Sequence, residues 1–327
     1  MLISLIIPVY NAEKTLPATL ESIRAQRCRD FEVIFAEDAC TDGSVALLER
    51  FCVESGLPCK LLRAAENGGA AAARNRALDA ATGEYLAFAD ADDLLDPGLL
   101  ERAAAVVEDA VPAVDIVGWD WTLGRTAQVG RYMRQADYSS AEEALCNLMG
   151  GTMRWNLWMF LVRRGLVEAQ HLRFIPGADL GEDMQFMLRA FLHAGRVVQL
   201  HEALYRYNAV NSASISREFS PERRAQIETN LAEVERRFAD SSFLKVHPDA
   251  LSDLKLFLKR PLLVSADRKD YETWYAWFPE ANGRARERGS LPIHTYLLQK
   301  MAARRCWTGV QLYHMFIYKL AYGILYR

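Results

Sequence analysis

The sequence predicts an α/β fold built on a mostly parallel sheet with helices on both faces. Three observations carry this. Short β-rich apolar runs alternate with helix-period segments through the first third of the chain. The runs are continuously apolar, as strands covered on both faces are. Each then gives way to polar residues rich in Gly, Asn or Asp, where a chain turns.

In order, Leu2 to Val9 reads as the first strand, and Asn11 can cap a helix in which Leu16, Leu20 and Ile23 recur at helical spacing. Phe31 to Ala36 is the second strand, and Thr41 can cap a helix carrying Leu47, Leu48 and Phe51. Cys59 to Leu62 is the third, followed by an alanine-rich helix from Gly69 to Ala81 and a fourth strand from Glu84 to Ala89. Asp96-Pro97 opens a further helix, since proline is tolerated at the first helical position, and Val114 to Trp121 reads as another strand. The middle is mixed. Beyond Ser216 the pattern turns helical, with a charged segment from Ser220-Pro221 to about Asp240 and amphipathic stretches at Leu251 to Val264 and Tyr271 to Phe278. This sets an α/β domain at residues 1–216 and a helical region at 217–327.

Composition narrows the class. The 327 residues are 51% hydrophobic and 25% charged with a formal net charge of −3, which excludes a disordered or collagen-like chain and shows no basic domain of the kind nucleic-acid binders carry. The six cysteines lack zinc-ligand spacing and read as reduced thiols, which points to the cytoplasm. The opening apolar run has no basic leader and is cut by Pro8, so it fits a buried strand better than a signal peptide. No apolar run reaches the ~18 residues of a spanning helix.

Ligands of parallel sheets sit beyond the carboxyl ends of the strands. That rule points to Pro8–Asn11, Glu37–Asp42 and Asp90–Asp93. Asp90-Ala91-Asp92-Asp93 directly follows an apolar strand, and Mg²⁺ or Mn²⁺ is commonly shared between one or two carboxylates and substrate phosphates. Alone, such a tripeptide is more often a solvated or helix-capping turn; its place at the strand end favours the metal reading. Asn67-Gly68-Gly69 lies at a loop-to-helix junction, where glycine permits close backbone approach and the helix amino end attracts negative charge. Arg74, a turn and a half further on, can reach a nucleotide or diphosphate.

Five segments in register resemble the family 2 glycosyltransferases of the GT-A fold: Ser4–Asn11 (SLIIPVYN), Glu37–Ser44 (EDACTDGS), Asn67-Gly68-Gly69 with Arg74-Asn75, Asp90–Asp93 (DADD), and Gly181–Phe186 (GEDMQF). The resemblance covers roughly residues 2 to 216. It implies a metal-dependent, inverting transfer of sugar from a nucleotide-diphosphate donor, UDP-sugar favoured, to a glycan or lipid-linked acceptor hydroxyl, as in bacterial surface-polysaccharide synthesis. By the same resemblance, Pro8, Tyr10 and Asn11 wall the nucleotide pocket, and Asp38 accepts from the base N–H. Asn67, Gly69, Arg74, Asp90 and Ala91 serve the nucleotide sugar, and Asp92 with Asp90 holds Mn²⁺ or Mg²⁺. Asp183 is the general base, with Glu182 orienting it. Trp155 and Trp158 resemble the acceptor framework, though their spacing suits core packing equally. Glu37-Asp38-Ala39-Cys40 departs from the usual Asp-Asp-Gly-Ser, and Asn211 stands where relatives often carry histidine.

Residues 289–327 contain no Asp or Glu, while Lys300, Arg304, Arg305, Lys319 and Arg327 are interleaved with aromatics. Such a segment either lies against an anionic membrane at the inner face of the cell or packs against its own chain or a second copy. Two other functions fit less well. A sugar-nucleotide nucleotidyltransferase would need a basic glycine-rich loop where Pro8-Val9-Tyr10-Asn11 stands. A catalytically inactive carbohydrate- or nucleotide-sugar-binding protein would have no need of Asp38, Arg74, Asp90, Asp92 and Asp183 together.

Overall fold

The computed structural model describes residues 1–108, 110–124, 130–208, 220–265, 267–287 and 291–315. The apolar runs form strands β1 (Ile3–Val9), β2 (Phe31–Glu37), β3 (Cys59–Arg63) and β4 (Tyr85–Phe88). Between them lie α1 (Leu16–Arg24), α2 (Ser44–Glu54) and α3 (Gly69–Ala80). Then come β5 (Leu94–Leu95), α4 (Leu99–Val107), β6 (Ile116–Gly124), β7 (Gly130–Met133), α5 (Ala141–Gly150), β8 (Phe160–Arg163), α6 (Arg164–Ala169), α7 (Glu182–His193), β9 (Val197–Asn208) and α8 (Pro221–Phe238). Helices α9 (Ser242–Val246), α10 (Ala250–Lys259), α11 (Arg268–Ala276), α12 (Ile293–Ala303) and α13 (Trp307–Tyr313) follow.

The sheet order is β3-β2-β1-β4-β8-β6-β9-β5, with β7 on β6. Strands β3, β2, β1 and β4 are parallel, with Ile3 opposite both Phe31 and Tyr85. This is the half the apolar runs predict, and every residue of β2 and β4 is buried. The other half is mixed: β8 runs antiparallel to β4 and β6, and β9 parallel to β6. Because β1 leads outward to β2 on one side and receives β4 on the other, the strand order reverses there. The carboxyl ends of β1 and β4 therefore flank a crevice.

Two expected caps are corrected. Helix α1 begins at Leu16 after Thr15, because Asn11 has a left-handed φ of 46° and its Oδ1 accepts from the Thr41 N–H at 2.8 Å. Thr41, engaged with Asn11, does not cap α2; Asp42 Oδ1 accepts from the Ser44 N–H instead. The thiol expectation is also corrected for two residues: the short return from α2 to β3 brings the Cα atoms of Cys52 and Cys59 within 5.3 Å, and they form a disulfide. Cys28, Cys40, Cys146 and Cys306 are free.

The expected boundary at Ser216, Asn211, and the tail beyond residue 315 lie outside the described residues. Contacts divide the chain into one unit of residues 1–145 and 154–237 and a second of 146–153 and 238–327. Helix α8 belongs to the first because the Asn230 amide donates to the Ala178 and Leu180 carbonyls. No helix among the described residues is long and apolar enough to cross a membrane.

Three strands of the parallel half are tied together near their amino ends by Glu32, which is 2% exposed. It accepts from Lys60 Nζ, Ser4 Oγ, and the Thr82 hydroxyl and N–H, at 2.7 to 2.8 Å. Burial alone would raise its pKa, but these donors outweigh it and bring the carboxyl down from 4.5 to about 2. A depressed carboxylate stabilises the fold above its unfolded pKa and loses that contribution as pH falls through the folded one. Glu32→Gln should therefore cost roughly 3 kcal/mol at pH 7 and flatten the decline in stability between pH 4.5 and about 2, measured by urea unfolding across pH.

Candidate functional site

Helix α3 is lined on its inner face by Ala71, Ala73, Ala77 and Leu78, and small residues bring it close to β1 and β2. One residue on that face is large. Arg74 runs past the Phe174 ring, with Cζ 5.8 Å from its centroid, and is 6% exposed. Its Nη2 donates to Asp90 Oδ1 at 3.2 Å and its Nη1 to Glu182 Oε1 at 2.9 Å, with Asp183 Oδ1 3.6 Å away. A single guanidinium thus joins the carboxyl end of β4 to the amino end of α7, where Gly181 turns the chain at φ 81°.

The acidic turn after β4 is held from two directions. Thr19 Oγ1 lies 3.0 Å from the Ala91 carbonyl and 2.9 Å from that of Asp93, and Thr15 also reaches Ala91. On the other side, fully buried Asp93 accepts from the Tyr205 hydroxyl at 2.9 Å and the Asn208 N–H at 2.7 Å. Asp92 is half-buried. Burial raises the carboxyls of Asp90, Asp93, Glu182 and Asp183; neighbouring carboxylates raise Asp90, Asp93 and Glu182 further, and Arg74 opposes the rise at Asp90, Glu182 and Asp183. Asp183 Oδ2 accepts from the Leu157 N–H, while its buried Oδ1 has no hydrogen-bond donor among the described residues.

The carboxylates of Asp90 and Asp92, two residues apart in one turn beside further acidic side chains, are the oxygen donors that suit a hard divalent cation. No three His, Cys, Asp or Glu side chains among the described residues form a complete cage.

Asp38, 3% exposed, accepts from the Gly68 and Gly69 amides and from Arg76 Nη2, at 2.8 to 3.2 Å. Asp179 accepts from the Ala71 N–H at 2.7 Å. The first amides of α3 are thus taken by two carboxylates of the chain itself, Asp38 and Asp179. Gly69, at φ 82°, is required: a Cβ there would lie 2.1 Å from Asp179 Oδ2. Asn67 is exposed, with its amide toward the Asp38 carbonyl. Arg74 is likewise turned to carboxylates, not to open solvent. Ala39 takes a left-handed φ of 57° at the place where the resembling motif has glycine. Tyr10 is 53% exposed at the end of β1, beside half-buried Pro8 and exposed Asn11.

On the acceptor side, Trp158 is 4% exposed and stacks on Tyr205 at 4.5 Å and Tyr207 at 5.8 Å, with Trp121 edge-on. The acceptor expectation for Trp158 is corrected: the ring is core. Trp155 is half-buried. Sequence reasoning missed Tyr205, Asp179 and Thr19, none of which lies in a motif. Arg74→Ala would leave the half-buried Asp90, Glu182 and Asp183 without their cation and should cost roughly 3 kcal/mol, whereas Arg74→Lys should recover part of this, as read by urea unfolding.

A family model described as Glycosyl transferase family 2 matches residues 4–175. The uncharacterized glycosyltransferase EpsJ of Bacillus subtilis is 31% identical over 212 residues, 63% of this chain and 60% of its own length. YibD of Escherichia coli, also an uncharacterized glycosyltransferase, is 30% identical over 66% of this chain and 63% of its own. The match therefore spans under two thirds of these relatives. Among solved structures, Staphylococcus aureus TarS 1–349 in complex with UDP-GlcNAc aligns at a TM-score of 0.72, with 20% identity, over 97% of this chain and 91% of that one. The mannosyltransferase PcManGT of Pyrobaculum calidifontis, in complex with GDP-Man and Mn²⁺, aligns at 0.57 with 22% identity, over 96% and 84%.

Proposed function

The chain belongs to glycosyl transferase family 2, and from that premise we propose that the cleft around Arg74 moves a sugar, with inversion, from a nucleotide-diphosphate donor to a hydroxyl of a glycan or lipid-linked acceptor. A UDP-sugar is favoured, by likeness to the UDP-GlcNAc complex of TarS. The observation that carries the reading is the meeting of Asp90 and Asp183 at one guanidinium, although they lie in separate motifs. Two carboxylates from motifs about 90 residues apart that share one guanidinium support a single site for donor and acceptor.

The base would lie by Tyr10, Pro8 and Asn11, over the floor that Asp38 and Asp179 shape by capping α3. Asp92 and Asp90 would hold Mn²⁺ or Mg²⁺ with the diphosphate. Such an ion supplies Lewis-acid neutralisation of the leaving group. Asp183 takes the acceptor proton, burial having raised its proton affinity, as the acceptor oxygen attacks the anomeric carbon from the face opposite the departing nucleoside diphosphate and inverts it. Glu182, bound to Arg74, orients this pair.

The second unit is read as serving the acceptor, a second copy or a membrane surface. On α12, Ile293 and Leu297 are exposed one turn apart, with exposed Arg304 and Arg305 just beyond the helix end. This supports seating on an anionic membrane surface, where a lipid-linked acceptor would be presented. Arg304→Glu with Arg305→Glu should lessen flotation with anionic liposomes, at ~1 kcal/mol per lost charge. Absence of flotation by the unaltered protein would assign this face to packing or to a second copy.

Asp183→Asn should retain nucleotide-sugar affinity by calorimetry and lose transfer by ~10²–10⁴-fold, since a general base acts only in the transition state. Glu182→Gln should lose less. Wild-type transfer by Asp183→Asn together with an inactive Glu182→Gln would move the base to Glu182. If neither substitution changes transfer, the base assignment fails, and an unaltered protein that binds donor without transferring or hydrolysing it is a binding protein.

A further inference from the structure

The acidic turn has a support that the mechanism above leaves unused. Tyr205, on β9, has its hydroxyl between the two ends of the Asp90–Asp93 turn. It accepts from the Asp90 N–H at 3.1 Å and donates to Asp93 Oδ2 at 2.9 Å. The residue is 1% exposed, and its ring is fixed by stacking on Trp158 at an interplanar angle of 10°. The same strand holds the turn through its backbone as well: the Asn208 N–H donates to Asp93 Oδ1, and β5, which follows the turn directly, pairs with β9 with Leu95 opposite Tyr205. With Thr19 gripping the Ala91 and Asp93 carbonyls from α1, the backbone of the turn is clamped on both sides, between the two carboxylates assigned above to the cation.

We propose that Tyr205 is a positioning residue for the donor site: its hydroxyl sets the relative placement of Asp90 and Asp92, and hence the affinity for a divalent cation with a nucleoside diphosphate. This deepens the function proposed above and rests on it. The geometric reason is that two carboxylates bind one small ion only at a fixed separation, and a turn of four residues holds that separation only if both its ends are anchored. Tyr205→Phe removes one oxygen, leaves the ring against Trp158, and leaves both the Asp90 N–H and Asp93 Oδ2 without that partner.

The test compares Tyr205→Phe with Tyr85→Phe, which also removes a buried hydroxyl from this sheet, one that donates to the Val114 carbonyl at 3.0 Å. Mn²⁺ affinity in the presence of UDP is read by water-proton relaxation, and amide hydrogen exchange is followed across residues 90–93. Tyr205→Phe should bind Mn²⁺ with UDP about tenfold more weakly, within the 10–100-fold range typical of lost support to metal ligands, and exchange the Asp90 amide faster. Tyr85→Phe should keep the affinity of the unaltered protein at a comparable loss of thermal midpoint. Unchanged affinity in Tyr205→Phe with faster Asp90 exchange would overturn the positioning role and leave the donor-site reading standing. Equal weakening in both variants would reduce Tyr205 to a general contributor to stability and also overturn it. If the unaltered protein and Asp92→Ala alike fail to bind Mn²⁺ with UDP, the donor-site reading falls and the positioning role falls with it.

Discussion

One buried cation constrains the site. Around Arg74 stand Asp90, Glu182 and Asp183 within ion-pairing distance, with Asp92 and Asp93 in the same turn as Asp90. Removing several carboxylates from water costs more than one guanidinium returns, so the cluster persists only where the backbone supplies the rest. It does so through the Leu157 N–H on Asp183 and the Asn208 N–H on Asp93. The remaining deficit has a sign: it favours bound positive charge. That is the electrostatic situation in which a cation and a diphosphate enter together more readily than a diphosphate alone, because the anion brings like charge into an acidic site.

The position of Arg74 depends on its helix, which in turn depends on two acidic residues from elsewhere in the chain. Asp38 and Asp179 satisfy the first amides of α3 and complement its dipole. They also explain Gly69, since the approach of Asp179 leaves no room for a Cβ. The glycine pair is therefore about a protein carboxylate at least as much as about a ligand. Arg76, reaching back to Asp38 and the Glu37 carbonyl, closes the same corner between β2 and α3.

Most of the parallel half was legible in the sequence because its strands are buried on both faces and so read as unbroken apolar runs. Three of the motifs lie at strand ends, Tyr10–Asn11 after β1, Asp38 after β2 and Asp90–Asp93 after β4, because each follows one of those apolar runs directly. What was not legible has its partners far away in the chain. Asn11 and Thr41 look like helix caps, but they bond to each other across 30 residues. The amides of α3 look free until Asp179 arrives from 108 residues away. Trp158 carries no local sign of whether its face meets a sugar or Tyr205, and Tyr205 itself is one tyrosine among 13. In the mixed half only β6 was read from its apolar run; β9 is mostly half-buried, so no continuous apolar stretch marks it.

The distance in chain between the two halves of the site has a temporal consequence. Strands β1, β2, β3 and β4 can pair from contacts made early and locally, but the Arg74–Glu182 and Ala71–Asp179 bonds each close a stretch of 108 residues. Loop closure of that length carries an entropic cost that local contacts do not, and it is met only when the packing around it forms at the same time. During synthesis the amino-terminal strands leave the ribosome before the residues that complete the cleft. Arg74 then has Asp90 alone for company, and α3 lacks one of its two caps. The cleft is complete only after α7 and then β9 have been made and docked, so Asp183 and, after it, Tyr205 join Asp90 late, on strands drawn from the earlier part of the chain.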